Sequence, residues 1–320
     1  MLKGTEPYIV GVGAANIDIC AKSMNNLINC DSNPGHVSIS AGGVTRNILE
    51  NLSRLNVSTK MISAIGTDWF SEVIRKNSEA AGIDMEDLYI VEGEKTSTYI
   101  DILDDNGNMV AAVSDMSILK KIPAEYFKSK RKLFEGARLI VMDGCMPIEI
   151  LECLVFDLCK GKRIFIDTVS RTYAEAVREI VRGCHTIMPN KYELEILAGR
   201  TVDSDHDIEI ACENVLKNGA KRVVVTLGER GCYYSDEEGT RFYRSLHKFD
   251  SVENVTGAGD AFSAGFIYGD ILGMPHREAI DFALGASIVA ISSIDTINPL
   301  MSAKLVEEIV AKYSNKKEEG

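Results

Sequence analysis

From about residue 135 onward, short apolar runs alternate with segments that have helical periodicity, and this alternation constrains the fold more than any other feature of the chain. The apolar runs are Arg138–Met142, Arg163–Ile166, Thr186–Met188 and Arg222–Thr226, and the helical segments are Ile148–Cys159, Tyr173–Arg182 and Asp207–Asn218. Continuous apolar runs of this length are typical of strands buried on both faces. Because such strands alternate with helices, the sequence predicts a layered α/β fold with a parallel sheet and right-handed crossovers.

A different pattern occupies the first third of the chain. Thr98–Leu103 and Met109–Val113 flank the polar, glycine-containing segment Asp104–Asn108, which indicates a β-hairpin. Val37–Ser40 alternates apolar and polar residues and predicts a further strand, apart from the helical segments Val44–Leu55 and Phe70–Ala81. We expect the β segments to pair as a small sheet that forms a lid over a cleft. The predicted lid inserts are 16–41 and 95–116, and the predicted core comprises 1–15, 42–94 and 117–320.

Charge and composition exclude several classes of function. The 320 residues include 35 basic and 47 acidic side chains, a net charge of −12, without a lysine- or arginine-rich stripe, so neither nucleic acid nor a membrane surface is expected as a partner. No apolar stretch approaches the roughly 18 residues of a membrane span, and no signal-peptide core is evident. The eight cysteines contain no C-x-x-C pair and the five histidines are dispersed, which predicts reduced thiols in a cytoplasmic protein without a zinc site.

The segment 254–266 contains the strongest indication of chemistry. Gly257, Ala258 and Gly259 form a turn with little side-chain bulk, and an apolar helical run begins directly after Asp260. The N–H groups at a helix N-terminus and the positive end of its dipole favour anions. A carboxylate at the edge of such a turn can accept a proton from a substrate hydroxyl while the turn stabilises a phosphoryl group. Taken alone, the same four residues also fit a tight turn whose aspartate only favours the helix dipole.

The whole of this segment resembles the second signature of the ribokinase-like (PfkB) carbohydrate kinases. The resemblance implies a three-layer α/β/α fold with a small β-sheet lid, with Asp260 as catalytic base and Gly257–Gly259 as anion hole. The segment Ala41–Asn47 resembles the first signature, which implies that Gly42, Gly43 and Asn47 contact sugar hydroxyls, although Asn56 replaces the glycine usual after the following helix. Asp18 resembles the family aspartate that binds two sugar hydroxyls.

Three further segments resemble the nucleotide-binding half of the family, which uses ATP and Mg²⁺. The resemblance assigns Asn190, Thr226, Gly228 and Gly231 to ATP binding, and Asn190 with Glu193 to magnesium through water. Asp167 is a further candidate for ATP binding because it follows the strand Arg163–Ile166, where ligand-facing residues of parallel sheets usually lie. Each segment also fits a structural role, since Asn190 and Glu193 form a capping-box pattern and glycines are common in connections. Many relatives bind potassium beside the anion turn; Asn254 and Thr256 are the corresponding candidates here. Because Asn254 replaces a charged aspartate, any potassium activation is expected to be weak.

The substrate-side loops resemble the pseudouridine kinases within the family. The similarity lies in residues 31–35, in the Gly-Gly-Val-x-Arg-Asn form of the first signature, in Asp115-Met116 and in Asn254-Val255-Thr256. It implies phosphorylation of the 5′-hydroxyl of pseudouridine, with Thr98 and Asp115 as candidate contacts to the base. Ribokinase or another nucleoside or sugar kinase is the alternative, and a non-catalytic sugar-binding regulator is disfavoured by the presence of Asp260. The free edges of the expected lid sheet also predict a homodimer.

Overall fold

The computed structural model describes residues 7–246, 249 and 252–314. Its strands are β1 (Ile9–Val12), β2 (Asn16–Ser23), β3 (Gly35–Gly42), β4 (Thr59–Ile62), β5 (Ala64–Ile65), β6 (Ile83–Asp84), β7 (Tyr89–Ile90), β8 (Thr98–Leu103), β9 (Met109–Asp115), β10 (Leu139–Asp143), β11 (Ile164–Asp167), β12 (Thr186–Met188), β13 (Arg222–Thr226), β14 (Cys232–Asp236) and β15 (Arg241–Arg244). Its α-helices are α1 (Val44–Arg54), α2 (Trp69–Ala80), α3 (Ala124–Ser129), α4 (Arg131–Gly136), α5 (Ile148–Cys153), α6 (Arg171–Ile180), α7 (Lys191–Ala198), α8 (Asp205–Lys217), α9 (Ala258–Leu272), α10 (His276–Ile291) and α11 (Ala303–Ser314).

Nine strands form the main sheet, in the order β15-β14-β13-β12-β11-β10-β1-β4-β6. All neighbours from β13 to β6 pair in parallel, whereas β14 and β15 add an antiparallel edge. The four strands predicted from apolar runs are β10, β11, β12 and β13, which confirms the expected parallel α/β sheet. The sequence analysis did not predict the antiparallel edge.

Alternation along each central strand fills two separate cores. In β10, Ile140 and Met142 pack into the core on one face of the sheet, whereas Leu139 and Val141 pack into the core on the other. The first core is completed by residues of α3 to α8, and the second by residues of α1, α2, α9 and α10. Helices therefore cover both faces of the sheet, which gives the expected α/β/α layers. Strands covered in this way are apolar on both faces.

A separate four-stranded sheet has the order β3-β2-β8-β9 and is called the small sheet below. Strands β8 and β9 form the predicted hairpin, with a register shift between Ile102 and Leu103. All four strands lie within 16–42 and 98–115, close to the predicted lid inserts. Whether the small sheet closes over a ligand stays a prediction. Residues 1–6, 247–248, 250–251 and 315–320 of the predicted core lie outside the described residues.

Two further observations bear on the sequence predictions. The helix predicted over Ile148–Cys159 is α-helical only to Cys153 and continues as a π-helical turn over Leu154–Leu158, where Cys159 N donates to Leu154 O at 2.7 Å. In the part of the chain that the structure describes, no helix has the length and apolarity of a membrane span.

Candidate active site

Asp143, the last residue of β10, joins three chain segments at the carboxyl edge of the main sheet. Its Oδ2 accepts hydrogen bonds from Ala14 N at 2.8 Å, Thr45 N at 3.2 Å and Thr45 Oγ1 at 2.7 Å. Its Oδ1 accepts one from Cys145 N at 3.0 Å. A Cβ atom at Gly13 would lie 2.2 Å from Asp143 Oδ2, so only glycine fits there. This buried carboxylate therefore holds the loop after β1 and the start of α1 against the sheet.

Two glycines set the entry into α1. Gly43 caps the helix with φ 103°, and a Cβ atom there would lie 2.3 Å from Ala14 O. A Cβ atom at Gly42 would lie 2.1 Å from Asp18 Oδ2, so the carboxylate of Asp18 packs directly on the glycine. Asn16 Nδ2 donates to Asp18 Oδ1 at 2.6 Å. The first-signature glycines thus allow Asp18 to lie beside the first turn of α1.

Asp260 and Asn47 meet in the structure, although 213 positions separate them in the sequence. Asn47 Nδ2 donates to Asp260 Oδ2 at 2.8 Å. Helix α9 begins after Gly257, whose φ of 79° is left-handed and where an added Cβ atom would lie 2.2 Å from Thr296 O. At Gly259 an added Cβ atom would meet nothing within 4 Å, so the N-terminal turn of α9 has open space beside it. The hydrogen bond joins the two predicted motifs at one site.

The pKa values of both site carboxylates, Asp18 and Asp260, are raised. Burial, together with the nearby carboxylates of Asp18 and Asp143, raises the pKa of Asp260 to about 7, against the opposing effects of the Asn47 hydrogen bond and Arg46. Burial also raises the pKa of Asp18 to about 6, although Asn16 and Arg46 oppose it. A carboxylate with a pKa near neutral pH is suited to accept a proton from a substrate hydroxyl.

The register of the small sheet determines which side chains share a face with Asp18. Asp18 pairs with Ser40 and Tyr99, and Tyr99 pairs with Ser114; we call the face that carries these four residues the inner face. Further along it, Cys20 pairs with Ser38 and Asp101. Side chains alternate between the two faces along a strand, so the inner face is largely polar.

Thr98 and Asp115 pair with each other on the opposite face of the small sheet. Thr98 Oγ1 donates to Thr96 O at 3.2 Å, and Asp115 Oδ1 accepts a hydrogen bond from Ser117 N at 3.0 Å. The structure does not bring these two predicted base contacts to the face of Asp18. Ser40 and Tyr99, the neighbours of Asp18 in register, and Ser114, the neighbour of Tyr99, were not singled out from the sequence.

The predicted nucleotide-binding residues lie at the carboxyl ends of β11, β12 and β13. Asn190 caps α7 by accepting from Tyr192 N at 2.9 Å and Glu193 N at 3.0 Å, while Glu193 Oε2 accepts from Asn190 N at 2.9 Å. Glu193 Oε2 also accepts from Thr168 Oγ1 at 2.6 Å. The capping box is therefore present, and these polar atoms already have partners within the protein. The described residues contain no cluster of His, Cys, Asp and Glu side chains suited to hold a metal directly.

Thr226 and Asp167 lie beside this capping box. Thr226 N donates to Pro189 O at 3.0 Å, which sets the end of β13 next to Asn190. Burial, the carboxylates of Asp260 and Glu193, and further groups hold the pKa of Asp167 well above its usual range. Asp167 therefore interacts electrostatically with both Asp260 and Glu193.

The two predicted glycines of the turn after β13 have different surroundings. Gly228, with φ 60°, has nothing within 4 Å of an added Cβ atom. Gly231, with φ 84°, has Arg244 O at 2.0 Å from that position. Gly228 therefore leaves space open toward solvent, whereas Gly231 is required for close packing of the turn on β15.

A family model described as pfkB family carbohydrate kinase matches residues 6–303. The chain belongs to this family. It is 35% identical over 303 residues to the pseudouridine kinase of Escherichia coli strain K12, across 95% of this chain and 96% of that relative. Among solved structures, a putative sugar kinase from Clostridium perfringens superposes with a TM-score of 0.82 at 37% identity over 97% of each chain. A putative ribokinase II from E. coli in complex with ATP and Mg²⁺ has a TM-score of 0.81 at 18% identity, across 96% of this chain and 99% of that chain.

Membership of the pfkB family makes this protein a kinase of sugars or nucleosides with a ribokinase-like fold, and kinases of this kind use ATP and Mg²⁺. The arrangement of residues fits a nucleotide, because both Gly259 and Gly228 have open space beside their backbone. It fits magnesium held through water and nucleotide oxygens better than magnesium held directly, since the oxygens of Asn190 and Glu193 are hydrogen-bonded within the capping box.

The predicted monovalent-ion residues are bonded to one another and to a neighbouring loop. Asn254 Oδ1 accepts from Thr256 N at 2.9 Å, and Asn254 Nδ2 donates to Ile294 O at 3.1 Å. The side-chain amide of Asn254 thus places a hydrogen-bond donor against a backbone carbonyl, where an aspartate would offer only acceptors.

Asp143 and Arg46 were not predicted to belong to this site. A polar residue directly after a buried strand was the available signal for Asp143, as it was for Asp167. Arg46 entered the sequence analysis only as the arginine of the first signature. It is 3% exposed and donates to Ala41 O and Asn47 Oδ1, so its guanidinium is engaged within the protein.

Proposed function

We propose that this protein transfers the γ-phosphoryl group of ATP to the 5′-hydroxyl of pseudouridine, with Asp260 as general base. The observation that carries the kinase proposal is the hydrogen bond between Asn47 and Asp260, because it brings the substrate-binding and phosphate-binding motifs to one place. The choice of pseudouridine is supported by the similarity to the E. coli enzyme along nearly the whole chain. It is also supported by the loops around residues 31–35 and 115–116.

In this proposal the acceptor ribose lies between α1 and the small sheet. Asp18, Gly43 and Asn47 bind its diol, with Gly42 allowing Asp18 to approach, and so align the 5′-hydroxyl with Asp260. Asp260 then accepts the proton of that hydroxyl as the oxygen forms its bond to phosphorus and ADP leaves. The helix N-terminus at Gly257, Ala258 and Gly259 stabilises the charge on the transferred group.

The nucleotide would lie along the carboxyl ends of β11, β12 and β13. Asp167, Asn190 and Thr226 would border it, with Gly228 and Gly231 forming the turn beside it. When bound, Mg²⁺ neutralises the charge of the triphosphate. Glu193 and Asn190 would hold waters of that ion, since their own oxygens are arranged by the capping box.

A phosphorylation screen tests the proposal. With ATP and Mg²⁺, we compare pseudouridine, uridine, adenosine, ribose and fructose 6-phosphate under one set of conditions. We expect kcat/KM for pseudouridine to exceed that for uridine by at least about tenfold. Uridine lacks the additional ring N–H of pseudouridine, so its binding would leave a buried acceptor unsatisfied. Higher activity with ribose or adenosine would overturn the substrate proposal and leave the kinase intact. Activity with none of them would favour a non-catalytic binding protein.

The pH profile provides a prediction about the base. Asp260 must be ionised to accept a proton, and its pKa in the structure is about 7. Because the protonated form is inactive, kcat/KM should decrease as the pH falls through about 7 and level off above it. A profile that stays flat down to the ordinary pKa of an aspartate, about 4, would contradict the assignment.

A further prediction concerns the inner face of the small sheet, which would contact the base of the nucleoside. Tyr99 lies next to Asp18 in register, and we expect Tyr99→Phe to reduce the preference for pseudouridine over uridine by about threefold to tenfold. Thr98→Val, on the opposite face, is the matched control. A larger effect of the Thr98 substitution would restore the assignment made from the sequence.

The opposite face of the small sheet supports a homodimer. Val37 and Val113 are each 67% exposed, and Ile39, at 51%, lies two residues from Val37 on β3 and in the same register row as Val113. The sheet also has free edges at β3 and β9. We propose that a second copy covers this face, so Val113→Lys should convert a dimer to a monomer in analytical ultracentrifugation.

The monovalent ion is expected to have little effect on the reaction. Because Asn254 Nδ2 already donates to Ile294 O, replacing sodium by potassium at constant ionic strength should change kcat little.

We also propose a cytoplasmic location, where ATP is available and where eight free cysteines stay reduced. Cell fractionation tests this location.

A further inference from the structure

We propose that Arg46 is a positioning residue for the transfer reaction, because it fixes the Asn47 side chain against Asp260 and supplies a buried positive charge beside the site carboxylates. The inference rests on the proposed role of Asp260 as base and extends it to a residue that does not itself contact substrate. Arg46 occupies the position before the asparagine of the first signature.

Arg46 connects four neighbours from one buried position. Its Nη1 donates to Ala41 O at 3.0 Å and to Asn47 Oδ1 at 3.2 Å, and its Nε donates to Ser78 Oγ at 3.2 Å. Its Nη2 forms an ion pair with Glu50. Ala41 belongs to β3 and Ser78 to α2, so the guanidinium ties α1 to the small sheet and to the helix behind it.

The contact with Asn47 determines which way its amide points. Asn47 Oδ1 accepts from Arg46, which leaves the NH₂ group to donate to Asp260 Oδ2. A flipped amide would place NH₂ against the guanidinium and the oxygen against the carboxylate, and both contacts would be repulsive. Arg46 therefore selects the one orientation that donates a hydrogen bond to Asp260. A donor favours the ionised carboxylate, which is the form that acts as base.

The charges around Arg46 leave a positive excess. Glu50 Oε1 also accepts from Arg54 Nε at 2.9 Å and Nη2 at 2.6 Å, so one buried carboxylate is shared by two guanidinium groups. Two cations and one anion amount to one net positive charge. Of these groups, Arg46 acts on both Asp18 and Asp260, and its charge opposes the rise in the pKa of each.

Asp260 otherwise faces carboxylates. Asp18 from β2, Asp143 from β10 and Asp167 from β11 all interact with it electrostatically, and Arg46 from α1 is the cation that opposes them. Without this cation, repulsion from the surrounding carboxylates would favour the protonated form of Asp260. Asp260 would then be in place but protonated, and so unable to accept a proton from the substrate.

The test compares pH profiles of kcat/KM for Arg46→Met and Arg46→Lys with the wild type, using the nucleoside that the screen identifies. We expect Arg46→Met to move the acid limb upward by about one pH unit, so that activity near pH 7 falls about fivefold and recovers at higher pH. Arg46→Lys keeps the charge but not the planar fork, so its limb should stay in place while kcat falls about threefold to tenfold.

Arg54→Met is the matched control, because it removes the other guanidinium bound to Glu50 but lies farther from Asp260. It should lower the melting temperature without moving the acid limb comparably. If Arg46→Met folds poorly, Arg46→Gln removes the charge but keeps an amide N–H that can donate inside the protein, and it should show the same shift. An unshifted limb in both neutral Arg46 variants, or an equal shift in Arg54→Met, would overturn the inference. Wild-type turnover that disappears in Asp260→Asn establishes the base separately, so the two proposals can fail independently.

Discussion

Replacing Asp260 by asparagine should lower kcat by about 10²- to 10⁴-fold, the usual range for the loss of a general base. Asparagine preserves the shape of the side chain but cannot accept the proton of the hydroxyl. Binding of ATP should change little, because the backbone turn at Gly257–Gly259 is unaltered. Steady-state kinetics with saturating ATP give kcat, and calorimetry gives the nucleotide affinity.

The same substitution should raise the melting temperature at pH 8. Burial raises the pKa of Asp260 to about 7, so the ionised form costs the folded state free energy at any pH above the pKa of the unfolded chain. Removing that charge relieves this cost, which is typical of sites that trade stability for function. Asp203→Asn, the same change at an exposed position before α8, is the control and should affect neither quantity. Near-normal turnover of the Asp260 variant would refute the assignment.

Replacing Asp143 by alanine should lower the free energy of unfolding by about 3–5 kcal/mol, because four hydrogen-bond donors would lose a buried charged acceptor. Asp143→Asn should cost less. Its oxygen can replace Oδ2 toward Ala14 and Thr45, but its NH₂ would then oppose the N–H of Cys145. Urea unfolding monitored by circular dichroism gives both values, with Asp203→Ala as control. Equal stability of wild type and Asp143→Ala would show that the four contacts contribute nothing net.

The parallel part of the fold was predictable because its signal is local. Runs such as Arg138–Met142 are apolar at nearly every position, which is typical of strands covered on both faces. The antiparallel edge was not predicted, since β14 and β15 contain the mixed sequences Cys232–Asp236 and Arg241–Arg244. Their placement depends on pairing with β13, and no local pattern specifies that pairing.

The candidate residues that occur in motifs could be singled out from the sequence, whereas contacts that depend on packing or register could not. Asp260 and Asn47 were both singled out, but the bond between them depends on how α1 and α9 pack. Thr98 was singled out and Tyr99 was not, although the alternation of Thr98, Ile100 and Ile102 already indicated an apolar face. Asp143 was not singled out, and its four hydrogen bonds became apparent only from the tertiary structure.

The hydrogen bond between Asn47 and Asp260 also has a consequence for biosynthesis. The two residues are separated by 213 positions, and at about 5–20 residues per second a ribosome takes roughly 10–40 s to synthesise that length. Throughout this interval the nascent chain has the proposed acceptor-binding segment but lacks both the proposed base and the proposed anion-binding turn. With these roles, phosphoryl transfer begins only after α9 has left the exit tunnel and docked on α1, and we expect chains truncated before α9 to show no ATP-dependent phosphorylation.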